Sequence, residues 1–182
     1  MKKVKYAKCH FVAFSKRDHV SKDALLIDVS SYSEEPYCQF SPFYVHNDIP
    51  IPKKPGEYSD TVEGIWQGLK VIRKKIAPRY FRGPGKKRGG KPEGHKYGGK
   101  LLSIVEARYK IYKISYDWVL ENKIEQVIYR DILDNAKKGI PQYFHDMENN
   151  GDINNPSSPL AHASLLVQYI NILIKKELRK EC

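Results

Sequence analysis

Val62, Ile65, Trp66, Leu69, Ile72 and Ile76 recur at the three- and four-residue spacing of one helical face, while Glu63, Gln67, Lys70 and Lys74 fall on another. The stripe predicts a helix over residues 62–76 that turns one side to a core and carries polar chemistry on the other. Asp60 or Ser59 stands where its N-cap belongs, and Asp60-x-x-Glu63 also fits a capping box. Glu63 then lies in the first turn, where free backbone N–H groups and the helix dipole favour a charged carboxylate. Gly64 and Gly68 weaken the helix by about 1 kcal/mol each but open one flank to a close backbone or a flat ligand.

Elsewhere the pattern alternates between strand and helix. Lys3 to Ser15 and the apolar run Ala24 to Val29 read as two strands. Tyr37 to Tyr44 reads as extended, because Pro42 restricts Ser41, and the prolines between His46 and Glu57 make a stiff loop. Helical spacing returns over Leu101 to Lys113, Ser115 to Asn122 and Ile124 to Lys138, with Gly139 as a C-terminal cap. Ile140 to Phe144 reads as a short strand, Asp146 to Asn155 as a polar turn, and Ser158 with Pro159 as the start of a last helix buried through Leu165, Leu166, Tyr169, Ile170 and Leu173. A basic tail follows. The sum is an α+β chain, mainly helical, packed on a small N-terminal β-sheet and forming a single domain over residues 1–182 without internal repeats.

At 182 residues and 41% hydrophobic content the chain is long enough to bury a core of its own. It has no apolar run of membrane-spanning length and no secretory signal pattern, so a cytoplasmic protein with no membrane partner is expected. Cys9, Cys38 and Cys182 are odd in number and far apart, which predicts free thiols and no zinc site. Charge changes the picture more. Lys70 to Lys100 holds twelve Lys or Arg against the single acid Glu93, which accounts for the whole net charge of +11. Its glycines predict a flexible basic loop at about 78–100, and its charge predicts an anionic partner, either a phosphorylated small molecule or a nucleic acid. Gly83 to Gly90 lacks the spacing of a Rossmann or P-loop motif, and no cofactor is indicated.

Two blocks, Phe40-Ser41-Pro42-Phe43-Tyr44 and Thr61-Val62-Glu63-Gly64-Ile65-Trp66-Gln67-Gly68-Leu69-Lys70-Val71, resemble in order and register the opening motifs of the NADAR family, Phe-Ser-Asn-Phe-Tyr and Ser-Glu-His-Tyr-Tyr-Gln-Ala-x-Lys-Phe. They also resemble a group of phage and bacterial proteins with Ser-Pro-Phe-Tyr-x-His, Val-Glu-Gly-Ile-Trp-Gln-Gly-Leu-Lys and Asn-Gly-Asp…Pro-Leu-x-His blocks, read as a divergent NADAR branch. The resemblance implies a small α+β domain that hydrolyses N-glycosidic bonds of phosphorylated ribosides or of ADP-ribose attached to a base. It implies that Glu63 is the essential glutamate, that Trp118 matches a mid-domain tryptophan, and that Asn150-Gly151-Asp152 matches a Thr-Gly-Asp turn. Gly64 and Ile65 depart from the family's His and Tyr, and its terminal Asp-x-x-Trp-Gly has no counterpart. Ser158 to His162 stands roughly in its place.

Cleavage of a ribosyl–base bond passes through an oxocarbenium-like state and needs a carboxylate near the sugar, a placed water and support for the leaving base. Glu63 and Asp152 are the candidate catalytic residues. Tyr44, Tyr109 and Trp118 are candidates to stack on a base, Lys70, Arg73 and Arg82 to hold phosphates, and Gln67, His46 and His162 to contact the ligand. Asp146, Glu148, Asn150 and Asp152 form an alternative, calcium-loop-like spacing, but Ser157 stands where a bidentate Glu belongs. Three functions fit: an N-glycosidase-type hydrolase, a non-catalytic protein that sequesters a nucleotide such as a defence signal, and an RNA or DNA binder acting through residues 70–100.

Overall fold

The structure is a computed structural model and describes residues 6–180; Cys182 and the opening of the first predicted strand lie outside the described residues. In chain order the strands are β1 (Cys9–Phe11), β2 (Leu25–Asp28), β3 (Ile49–Pro50), β4 (Tyr58–Ser59), β5 (Lys70–Val71), β6 (Gly94–Tyr97), β7 (Lys100–Leu102) and β8 (Gln142–His145). The helices are α1 (Val62–Leu69), α2 (Ile104–Ala107), α3 (Ile114–Asn122), α4 (Gln126–Lys137) and α5 (His162–Lys180), with a π-helical stretch, Arg108–Lys113, between α2 and α3. The fold is α+β, and the chain forms two compact units.

The first unit takes the residues up to Phe40, Ile124–Asp152 and those from Ser158 onward. Its sheet is fully parallel, in the order β1-β8-β2, with Cys9 opposite Gln142 on one side and Leu25 opposite Gln142 on the other. Phe144 is fully buried at its centre, and α5 covers β1 and β8 with Leu166 and Ile170 fully buried. The last helix begins at His162, four residues after the predicted Ser158 cap. Its first turn is capped from a distance, by the Asp146 carboxylate accepting from Ala163 N–H at 3.0 Å. The predicted tail is helical to Lys180. Tyr37–Phe40 is a 3-10 turn, not extended chain.

The second unit takes Ser41–Lys123 and Ile153–Ser157. Here α1 stops at Leu69, seven residues before the predicted end. The backbone of Lys70 and Val71 turns extended and pairs with His95 and Gly94, and Ala77 N–H satisfies Gly68 C=O at 2.9 Å. Tertiary pairing thus overrides the helical period. The segment expected to be a flexible loop is built: Pro78–Phe81 is a 3-10 turn, and β6 and β7 form an antiparallel hairpin. Leu101 belongs to β7, so the next helix starts at Ile104, where Ser103 and Glu106 close a capping box. The glycines of α1 have a packing reason. A Cβ on Gly68 would lie 2.1 Å from the Phe81 ring, and one on Gly64 would lie 2.6 Å from Tyr80 O. The 3-10 turn, not a flat ligand, fills that flank.

Candidate functional site

The start of α1 is organised differently from the expected cap. Thr61 Oγ1 accepts from Gly64 N–H at 2.8 Å, while Asp60 faces the later loop, accepting from Gly83 N–H at 2.7 Å and pairing with Arg82 Nη1 at 3.2 Å. The Asp60–Glu63 capping box does not form, because Thr61 takes the N-cap. Glu63 is therefore not spent on closing the helix, yet it is 95% buried. Its N–H donates to Pro42 O at 2.8 Å, which joins the Pro42-Phe43 block directly to the helix start.

The Glu63 side chain begins a polar relay. Gln67 Nε2 donates to Glu63 Oε1 at 2.6 Å, and Gln67 Oε1 accepts from Lys70 Nζ at 2.5 Å and from Arg88 N–H at 3.1 Å. Positive charge thus meets the carbonyl end of the amide, which turns its N–H end toward the carboxylate. Burial pushes the Lys70 ammonium below its usual range; the Glu63 charge opposes that and the Arg88 and Lys87 charges add to it. Arg88 fastens the loop over this relay, donating through Nη1 to Lys70 O at 2.6 Å and through Nη2 to Lys75 O at 3.2 Å. A Cβ on Gly85 would stand 3.0 Å from Glu63 Cβ and Phe43 Cα, so the loop backbone lies directly on the glutamate. Its neighbours Pro84 and Lys86, with Arg79, Tyr80 and Arg82, line a cleft of about 260 Å³.

Trp66 packs against His95 at a tilt of 30° with centroids 3.8 Å apart and meets Tyr112 edge-on at 5.5 Å. His95 is 1% exposed, and neither ring nitrogen has a hydrogen-bond partner among the described residues. Burial, and after it the Lys70 charge, pushes His95 down to about 3.

Of the candidates, Glu63, Gln67 and Lys70 come together. Tyr44 and His46 are half-buried and their rings meet at a tilt of 48° with centroids 4.8 Å apart. Arg82 lies in the cleft. Tyr109 is exposed and its hydroxyl donates to Asn154 Oδ1 at 3.0 Å, while Trp118 is half-buried with Lys123 Nζ 5.7 Å from its ring. Arg73 sits in a tight turn at φ 50°.

Asp152 and His162 belong to the first unit. Asp152 is exposed, and its N–H closes an Asx turn on Asn150 Oδ1 at 2.9 Å. Gly151 is required beside it because a Cβ would meet the Phe11 ring at 2.6 Å. His162 holds two acceptors, Asp146 Oδ2 at 2.9 Å through Nδ1 and Val29 O at 2.8 Å through Nε2. Burial alone would raise Asp146, but His162 and the Ala163 and Glu148 N–H groups outweigh it and hold the carboxyl below its usual range. The residues of the calcium-loop spacing make hydrogen bonds within the first unit. Asp146 accepts from Glu148 N–H at 2.7 Å and caps α5, Asn150 Nδ2 donates to Ser158 O at 3.1 Å, and no metal-holding cluster occurs among the described residues.

Sequence reading missed Thr61, His95 and Tyr80, and took Arg79 and Arg88 only as part of the basic segment 70–100. The residue types around Arg88 announced only charge; its role comes from the backbone carbonyls that the β5 turn presents to it.

An α+β chain with a buried carboxylate relay beside a cationic cleft is the class that fold and site define. Residues 12–166 match the model of a family of unknown function (DUF6939), and the protein belongs to that family. No curated protein matches the chain. Among the described residues no helix is long and apolar enough to cross a membrane.

Proposed function

We propose that the protein is an N-glycosidase-type hydrolase of the NADAR kind, acting on an ADP-ribose-like or nucleotide ligand, with Glu63 as the reactive carboxylate. The observation that carries this reading is the burial of Glu63 in the first turn of α1, backed by Gln67 and Lys70 and roofed by the loop that lines the cationic cleft. A carboxylate so held supports an oxocarbenium-like sugar and directs water to the anomeric carbon, while the base leaves with a proton.

Incubation with a panel of NAD-derived and ADP-ribosylated compounds, followed by mass spectrometry, tests it. Wild type should release free base. Glu63→Gln should lose turnover by at least about a hundredfold with little change in binding. Ligand returned unaltered after heat denaturation would replace hydrolysis with sequestration. The tie between Gln67 and the carboxylate favours that second reading, because it restrains the oxygen a reaction would use.

A further inference from the structure

We infer that the cleft bounded by Arg79, Tyr80, Arg82, Pro84 and Lys86 is a subsite for a diphosphate group. Three cationic heads from eight consecutive positions edge one hollow of about 260 Å³. Two of them are oriented before any ligand arrives. Arg82 is steered by Asp60, whose carboxylate is 14% exposed and whose second oxygen is held by Gly83 N–H. Arg79 lies over the Tyr80 ring, its guanidinium carbon 5.5 Å from the centroid. A guanidinium carries five donors in a planar fork, so each keeps donors for phosphoryl oxygens.

The charge balance names the ligand class. Asp60 answers Arg82, while Arg79 and Lys86 have no acidic partner among the described residues. A multiply charged oxyanion that spans a fork and a separate ammonium satisfies both, which a single phosphoryl group does less well. Volume sets the size: the cleft falls below the roughly 300–1,000 Å³ that encloses a drug-sized molecule, so it takes the charged part of a ligand and leaves the remainder outside. One of its lining residues, Tyr80, packs its backbone oxygen against Gly64, the residue after Glu63. The assignment rests on the proposed hydrolase only for what lies beyond the phosphates; binding of diphosphate itself does not depend on it.

Titration calorimetry of the full chain with inorganic diphosphate, ADP, AMP and adenosine reads the subsite. Diphosphate and ADP should bind, AMP at least about tenfold more weakly, and adenosine not measurably. Arg79→Ala and Lys86→Ala should each weaken diphosphate by about tenfold or more. Arg79→Lys should recover only part, since it restores charge without the fork. Lys175→Ala, which removes the same charge from α5, should change nothing. These positions are exposed, and unchanged thermal midpoints without ligand will show the variants folded. Glu63→Gln should bind diphosphate as wild type does, so an inactive wild type that still binds it refutes the hydrolase and leaves the subsite standing. Absent diphosphate binding, or equal binding by Arg79→Ala and Lys86→Ala, overturns the subsite. So does a single-stranded oligonucleotide that displaces diphosphate with affinity growing with its length, which would mark the groove as a polymer track.

Discussion

At the scale of single residues, His95 offers the sharpest test. Its ring centroid lies 3.8 Å from that of Trp66, both nitrogens lack a partner among the described residues, and burial with the Lys70 charge lowers it from its ordinary 6.5 to about 3. The folded chain therefore refuses a proton that the unfolded chain accepts below pH 6.5. Stability should be intact above that value and fall as pH drops from 6.5 toward 3. His95→Phe keeps a ring for Trp66 and removes both orphaned atoms. It should equal or exceed wild type at pH 7 and lose on the order of a few kcal/mol less between pH 7 and pH 4. Guanidinium unfolding at several pH values measures this, and parallel decline of the two proteins would refute it. The sequence hid His95 inside a run of lysines and glycines whose charge masked the alternation of a strand. Glu63 was legible because a helix start and an apolar stripe bracket it. Its cap was not, since Ser59, Asp60 and Thr61 are all capping types, and only the distant Arg82 and Gly83 draw Asp60 away.

At the scale of elements, α1 and the 3-10 turn Pro78–Phe81 form a pair in which glycine decides the contact. Gly68→Ala gains about 1 kcal/mol of helix propensity but drives a methyl into the Phe81 ring, so a net loss of about 1–3 kcal/mol is expected in chemical denaturation. In a Phe81→Ala background the clash is gone and the same substitution should become neutral or stabilising. Additive behaviour of the pair would show that the ring is not the obstacle. Element existence was readable where one face is buried throughout, as in α4, whose Gly139 cap at φ 78° falls where expected. Element ends were not readable where partners come from far along the chain. Residues 70–71 leave the helix for β6, and α5 waits for Asp146. The π-helical stretch keeps Ile111 and Tyr112 buried while widening the turn, a change of period that no apolar spacing announced.

At the scale of the whole molecule, the excess charge of Lys70 to Lys100 sits within one unit. Such a field should steer anions toward the cleft without touching them. Neutralising Lys91, Lys96 and Lys100 together should slow diphosphate association several-fold at low ionic strength, leave dissociation unchanged, and have no effect near 1 M salt, where the Debye length is about 3 Å. Stopped-flow binding across a salt series reads this, and a changed off-rate would place those lysines in contact with the ligand. The α+β class was legible from alternating periods, but the division into two units was not, because it depends on which distant segments meet. The parallel sheet carries one last consequence. Its middle strand, Gln142–His145, is made more than a hundred residues after both flanking strands. On the ribosome, those flanking strands must wait as bare edges until that piece emerges, whereas residues 41–123 of the other unit are already synthesised. Nascent chains halted before residue 142 should be the ones that call on chaperones.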